Sequence, residues 1–197
     1  MRIFITVLVL IFSFQSWTKA DDISDFEIEG ISIGDSLLDH FTLEKIINEN
    51  NHTFYPSSRK FFQINFENVS NFKTYQHLTA LVKLDDKNYI IYVLTGYIDY
   101  KKNINDCYRQ EKKVINDIKN ILSNVDLEEY GKLKKKVDKT GESTLTINQF
   151  FFTSGDLIKI SCHDWSKSFE AEGEIDSISV SVTSKEAYDW FVDEAYN

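Results

Sequence analysis

The chain has few of the residues that usually divide a sequence into parts. It contains seven glycines and a single proline, Pro56, among 197 residues. No glycine-rich or proline-rich linker therefore separates one region from another, and the length suits one well-buried domain. With 42% hydrophobic and 14% aromatic residues, the composition is that of a globular protein rather than a disordered one.

Basic residues are also in deficit. The chain has 22 Lys and Arg against 31 Asp and Glu, which gives a formal net charge of −9. The phosphate groups of nucleic acids and of anionic lipid surfaces would be repelled by such a field. We therefore expect neither nucleic acid nor an anionic membrane surface as a partner.

Local motifs of catalysis and metal binding are missing as well. The four histidines form no H-E-x-x-H and no other metal-ligand spacing; they are His40, His52, His77 and His163. The sequence has no G-x-S-x-G elbow and no glycine-rich nucleotide loop. We predict no catalytic residues, no metal ligands and no cofactor from these patterns.

What is present at the start of the chain is an export signal. Arg2 gives a positive beginning, an apolar run of about twelve residues follows, and Thr18 to Ala20 has the small-x-small pattern of a cleavage site. We predict a signal peptide over residues 1–20 and one domain over residues 21–197. The expected compartment is periplasmic or extracellular, with no stable membrane insertion once the signal is removed.

Only two cysteines occur, and they do not have the C-x-x-C spacing of a redox-active pair. In an oxidising compartment a lone pair most often forms a disulfide. Cys107 lies on the apolar stripe of a predicted helix over Asn103 to Leu122, and Cys162 shares one face of a predicted strand, Leu157 to Asp164, with isoleucines. Both thiols should point at one interface, so we predict a structural Cys107–Cys162 disulfide.

Alternating apolar residues and turn chemistry predict strands in both halves of the chain. The predicted strands cover residues 61–66, 74–84, 89–99, 144–152, 157–164 and 175–182. We expect residues 48–58 to form a polar loop and the charged residues 126–137 to be a solvated surface. Thr183 and Glu186 have the spacing of a capping box that opens a final helix.

Short links between these strands imply antiparallel pairing, and the helices have apolar stripes wide enough to cover a sheet. We predict an α+β fold: a mostly antiparallel sheet of six to seven strands with helices packed mainly on one face. The order strand-strand-strand-helix occurs twice, over residues 61–122 and 144–195. A repeated βββα unit is therefore a hypothesis.

Four stretches of the sequence carry a resemblance to a known group of proteins. They are Asp21 to Leu38, Asn88 to Tyr92, Asn105 to Tyr108, and Ser154 to Asp156. Together they resemble small exported proteins of AT-rich marine alphaproteobacteria of the Pelagibacter type, which have no assigned activity. The resemblance implies a bacterial periplasm. A shorter likeness at Gly34 to Leu38 is to small outer-membrane assembly lipoproteins, although the lipid-anchor cysteine is absent.

The best candidate for a binding surface surrounds His163. By alternation, His163 shares the strand face that points away from Cys162 with Lys159 and Trp165. With the serines of residues 177–181, these side chains would form an open polar sheet face. The ordinary alternative is a surface histidine beside a packed tryptophan.

Two functions remain open. The first is a non-catalytic periplasmic binding or interaction module that contacts a small ligand or an envelope protein through Lys159, His163 and Trp165, with an exposed aromatic patch and no deep polar pocket. The second is a periplasmic hydrolase or metal-dependent enzyme, in which at least three scattered Asp, Glu or His residues converge in a cleft with shifted pKa values. The lack of any local motif favours the first.

Overall fold

The computed structural model describes residues 22–67, 72–101, 103–122 and 124–197, so the predicted signal peptide lies outside the described residues. The strands in the described part are β1 (His52–Phe54), β2 (Phe61–Glu67), β3 (His77–Lys83), β4 (Ile91–Asp99), β5 (Val125–Lys134), β6 (Thr144–Phe152), β7 (Leu157–Asp164) and β8 (Ser177–Thr183). The α-helices there are α1 (Leu43–Ile47), α2 (Ile104–Ile121), α3 (Lys167–Ala171) and α4 (Lys185–Asp193).

These strands form one sheet in the order β1-β2-β3-β4-β8-β7-β6-β5, and every neighbouring pair is antiparallel. The predicted α+β fold with a mostly antiparallel sheet is confirmed. The predicted number of six to seven strands is wrong, because the described residues contain eight. The two strands that the sequence did not predict, β1 and β5, lie at the two edges of the sheet.

The sheet consists of two four-stranded meanders. Strands β1 to β4 follow one another, α2 crosses over, and β5 to β8 follow one another in the same way. The meanders meet where β4 pairs with β8, from Val93 opposite Thr183 to Asp99 opposite Ser177. The structure does not show the hypothesised βββα repeat, since four strands precede α2 and four precede α4, with α3 between β7 and β8. Strand β4 is central, as its apolar residues on both faces predict.

One face of the sheet is apolar and is covered by α2. The helix begins after Asn103, whose side chain accepts a hydrogen bond from the backbone N–H of Asn105 at 3.1 Å and so caps the first turn. Its buried side chains include Ile115 and Ile118, which face strands β7 and β8. The predicted disulfide is confirmed: Cys107 of α2 is bonded to Cys162 of β7, with their Cα atoms 6.0 Å apart.

The segment that precedes β1 completes the core on the same face. Its apolar side chains are buried in one cluster with those of α2 and the sheet. The carboxylate of Glu29 fastens this segment to the loop before β3, because it accepts backbone N–H groups of Lys73, Thr74 and Tyr75 at 2.9, 2.7 and 3.0 Å.

The opposite face of the sheet carries α4. Ala187 and Trp190 are buried there against Phe61, Leu81 and Val93, whose positions alternate with those of the apolar face. The prediction that helices cover mainly one face is therefore wrong for α4. None of the helices in the described ranges has the length and apolar character needed to cross a membrane.

The start of α4 also differs from the predicted capping box. Ser184 is the N-cap, and its hydroxyl accepts the backbone N–H of Ala187 at 3.3 Å. Thr183 is instead the last residue of β8, and Glu186 forms ion pairs with Lys60 and Lys83 at 3.2 and 3.0 Å. Ser184 therefore makes the capping hydrogen bond that was expected of Thr183, one position later in the chain.

Candidate functional site

The sheet face opposite α2 is covered in part by α4, and the part that α4 does not cover is polar. Strand β8 reads Ser-Ile-Ser-Val-Ser-Val-Thr, and its strict alternation puts the branched apolar residues under α2 and the hydroxyl residues on the other side. Neighbouring strands continue this pattern through cross-strand pairs. We call the resulting surface the polar face; it consists of Thr79, Thr95, Tyr97, Gln149, Lys159, Ser161, His163, Ser177, Ser179 and Ser181.

The serines form the floor of the polar face. Ser161, Ser179 and Ser181 are only 2%, 3% and 4% exposed. Tyr97, Lys159 and His163 stand among them and are half-buried. The short hydroxyl side chains therefore lie lower than their taller neighbours, and we call Ser161, Ser177, Ser179 and Ser181 the serine floor.

A chain of hydrogen bonds crosses this surface through His163. The ammonium of Lys135, which follows β5, lies 2.9 Å from Nδ1 of His163, and Nε2 of the same ring lies 3.1 Å from Oγ of Ser179. A protonated lysine can only donate, so Nδ1 is the acceptor and Nε2 carries the ring proton. His163 therefore donates its Nε2–H to Ser179.

The electrostatics of the polar face favour a neutral imidazole. Burial, together with the positive charges of Lys135 and Lys159, lowers the pKa of His163 to about 3. Burial also lowers the pKa of Lys135 to about 8, and it lowers the pKa of Lys159. Two ammonium groups thus flank a histidine that stays uncharged at neutral pH.

Trp165 is connected to this chain through Lys135. The Lys135 ammonium lies 3.3 Å from the centre of the Trp165 ring, a cation–π contact, and the ring also stacks on Phe169 with 5.4 Å between centroids. The backbone N–H of Trp165 donates to Asp176 at 2.7 Å. The structure therefore brings Lys159 and His163 together on the polar face, while Trp165 positions Lys135 beside them.

Lys135 is the residue of this cluster that sequence reasoning missed. It lies in the run of charged residues assigned to a solvated surface, yet it is 9% exposed. Its partners His163 and Trp165 are remote in sequence. The only local sign is its position just after β5, where the backbone N–H of Lys135 donates to Ser143 at 2.9 Å and continues the pairing with β6.

Hydrogen bonds within the protein do not use the whole polar face. Thr95 donates to Ser181 at 2.9 Å. By contrast, the buried Oγ of Ser161 has no hydrogen-bond partner among the described residues. Within the same residues, no acceptor is placed to receive the Lys159 ammonium, whose pKa is altered by burial alone. Both groups keep hydrogen-bonding capacity that a ligand could use.

A second polar cluster lies on the apolar face beside the disulfide. Glu111 of α2 is 6% exposed and accepts hydrogen bonds from Thr146 and from Asn148, the latter at 3.1 Å. Burial raises the pKa of Glu111, and these donors oppose the rise. Thr146 also accepts the backbone N–H of Cys162 at 2.8 Å. Because its members bond to one another, this cluster is a structural network.

Across the described ranges, no group of three or more His, Cys, Asp or Glu residues is placed to hold a metal ion. No protein-family model matches the chain, and neither the curated proteins nor the solved structures contain a match. The resemblance to exported marine bacterial proteins therefore stays a prediction.

Proposed function

We propose that the protein is a non-catalytic binding module whose polar face takes a small ligand. The observation that carries this proposal is the unused hydrogen-bonding capacity of Ser161 and Lys159. Buried polar groups almost always have a partner, and an unpaired one costs roughly 1–3 kcal/mol.

The hydrogen-bond chain argues against catalysis at Ser179. A histidine that activates a serine must offer the lone pair of the nitrogen facing the hydroxyl. Here Nε2 of His163 carries the proton and donates it to Ser179, because the ammonium of Lys135 occupies Nδ1. The low pKa of His163, about 3, also makes the ring a weak base at neutral pH.

The second candidate, a hydrolase, is favoured by one observation: the distance of 3.1 Å between His163 and Ser179. If Lys135 lost its proton, above its pKa of about 8, it could accept Nδ1–H and leave the Nε2 lone pair free. The site would then act only in alkaline solution. A metal-dependent enzyme built from scattered Asp, Glu and His residues is the less supported form of this alternative.

We also propose that the protein works outside the cytoplasm, in the periplasm or as a secreted protein, with an envelope protein as a second type of partner. The Cys107–Cys162 disulfide supports this compartment, because such bonds persist mainly in oxidising environments. Cleavage after Ala20 is tested by N-terminal sequencing of the exported protein, which should begin at Asp21. A protein that keeps its first residues would contradict the predicted signal.

The binding role is tested by titrating labelled protein, residues 21–197, with acetate, inorganic phosphate, citrate, glycine and glucose while amide chemical shifts are recorded. At least one compound should cause saturable shifts that centre on Ser177 to Ser181 and on His163. Shifts confined to other surfaces, or none with the whole panel, would contradict the proposal.

Catalysis is tested separately by following p-nitrophenyl acetate hydrolysis from pH 6 to 10, with metal analysis of the purified protein. We expect no activity that depends on the polar face and no stoichiometric metal. Hydrolysis that rises near pH 8 and disappears in both S179A and H163Q would replace the binding module with the hydrolase. Stoichiometric zinc or calcium would favour the metal-dependent form.

A further inference from the structure

We infer that the ligand of the polar face is an oxyanion, a carboxylate or phosphate group of a small solute, held by Lys159 and the serine floor. This inference rests on the binding function proposed above and adds the chemical class of the ligand. It follows from the charge of the surface and from the hydrogen-bond donors that its side chains leave free.

The ammonium of Lys159 has no ion-pair partner in the described part of the chain. Other lysines of this acidic chain form ion pairs: Lys83 with Glu186 at 3.0 Å, and Lys132 with Asp164 at 2.9 Å. Lys159 is half-buried, and no carboxylate is paired with it among the described residues. A buried charge without a partner is costly. A bound anion would remove that cost, whereas a neutral ligand would leave it.

Two serine hydroxyl groups near Lys159 are free to donate hydrogen bonds. Ser179 already accepts a hydrogen bond from Nε2–H of His163, so its own O–H is free to donate. Ser161 lies directly across from Ser179 in the sheet, and its O–H has no partner among the described residues. Two hydroxyl donors and one ammonium are the set that an oxyanion accepts, and such charge-assisted bonds are the stronger kind.

The polar face differs in charge from the acidic protein as a whole. The ten residues of the polar face are not acidic, and the carboxylates on the same side of the sheet lie at its margins: Asp99 opposite Ser177 and Glu128 opposite Gln149. Asp99 is paired with His77 at 3.4 Å. The ammonium of Lys135 adds a second positive charge next to His163. A cationic ligand at Lys159 would meet a like charge there, and burial is the cause of the lowered pKa of that lysine. An anion would be attracted to Lys159 from close range, although the protein as a whole carries −9.

The experiment is a titration of residues 21–197 with acetate, inorganic phosphate and acetamide at low ionic strength, followed through amide shifts of Ser177 to Ser181. Acetate and phosphate distinguish the two anion sources, and acetamide is the neutral counterpart of acetate. We expect saturable binding of at least one anion, at least tenfold tighter than acetamide, and weakening as salt is added.

The decisive variant is K159M, which keeps the apolar stem of the side chain and removes the charge. It should weaken anion binding by about tenfold or more. K113M changes an exposed lysine on the outer side of α2 and should bind the anion as the parent does. Thermal unfolding verifies that both variants are folded, and K159R, which restores the charge, should recover binding if K159M is destabilised.

The outcomes separate the two proposals. Equal binding of acetate and acetamide, or unchanged anion affinity in folded K159M, would overturn the oxyanion inference. In that case a neutral compound that still shifts the polar face would leave the binding function standing. No binding by any compound of either panel would overturn both.

Discussion

At the scale of single residues, the position of one proton determines what the polar face can do. His163 sits between a cation that donates to Nδ1 and a serine that accepts from Nε2. The ring therefore acts as a fixed donor that orients Ser179. Lys135 sets this state, and Trp165 holds Lys135 through its ring face.

The first prediction concerns the charge of His163. Because its pKa in the folded protein is lowered from 6.5 to about 3, the imidazole should stay neutral, with the proton on Nε2, at pH 5. Nitrogen chemical shifts of the labelled ring measure both the charge and the tautomer. A ring that titrates near pH 6.5, or one that carries its proton on Nδ1 at neutral pH, would contradict the hydrogen-bond chain.

The same shift has a consequence for stability. Between about pH 6.5 and pH 3 the unfolded chain binds a proton at His163 that the folded chain does not, so the free energy of unfolding should fall as the pH drops through this window. Above pH 6.5 both states are neutral and His163 contributes no slope. Denaturation of H163Q, compared with the parent at each pH, isolates the contribution, since the variant lacks this titration.

Part of the site could be predicted at the residue scale. Period-two alternation is enough to place Lys159 and His163 on one face and the serines of β8 beside them. It is not enough for Lys135, because nothing local distinguishes the one buried lysine in a run of exposed ones. Alternation also puts Trp165 on this surface, but its contact with Lys135 depends on the path of a loop, which no periodicity encodes.

At the scale of elements, the disulfide joins α2 to β7 and carries the second prediction. Its cysteines are 55 residues apart, so replacing both with alanine should lower the free energy of unfolding by about 4 kcal/mol in the chain-entropy description. Denaturant unfolding of the C107A/C162A double variant measures this value. Reducing agent should destabilise the parent by a similar amount and leave the variant unchanged.

If the free energy of unfolding of the double variant fell by less than about 1 kcal/mol, the prediction would be wrong, because the expected loss is several times larger. Packing of α2 on the sheet would then be sufficient without the disulfide. The substitution N116A, on an exposed position of the same helix, is the matched control and should change stability by less than about 0.5 kcal/mol. Together these variants separate the crosslink from general changes in α2.

The elements that sequence reasoning missed share a physical property. Strand β5 is an edge strand whose side chains are mostly exposed, so no apolar alternation marks it, and its charges are typical of edges that resist pairing with other chains. Strand β1 has only three residues. The internal strands and α2 were predictable because each buries an apolar face. Which face α4 covers depends on the whole sheet and is not a local property.

At the scale of the whole molecule, the segment before β1 closes the apolar face and is fastened by Glu29. The third prediction is that E29A lowers the free energy of unfolding by about 1–3 kcal/mol, because three backbone donors lose their acceptor. Amide hydrogen exchange should show faster exchange at Lys73, Thr74 and Tyr75. E27A, at an exposed position of the same segment, is the control and should leave these amides protected.

If the three amides exchanged at parental rates in E29A, the segment would be held by apolar packing alone. That packing is extensive, since Ile23, Ile28, Ile31 and Leu37 are each less than 5% exposed. The expected result is therefore local: faster exchange in the loop before β3, with the central strands unaffected.

Because β4 pairs with β8, the sheet can form completely only after the last strand has been synthesised. Strand β4 ends at residue 99, but its second neighbour spans residues 177–183. Until residues 177–183 have been made, β4 is an edge strand that exposes apolar side chains and unpaired backbone N–H and C=O groups, which can pair with other chains. We therefore expect the chain to fold only after β8 has been made, either with the help of a chaperone or in one slow cooperative step. Slow folding is usual for sheets whose paired strands are distant in sequence.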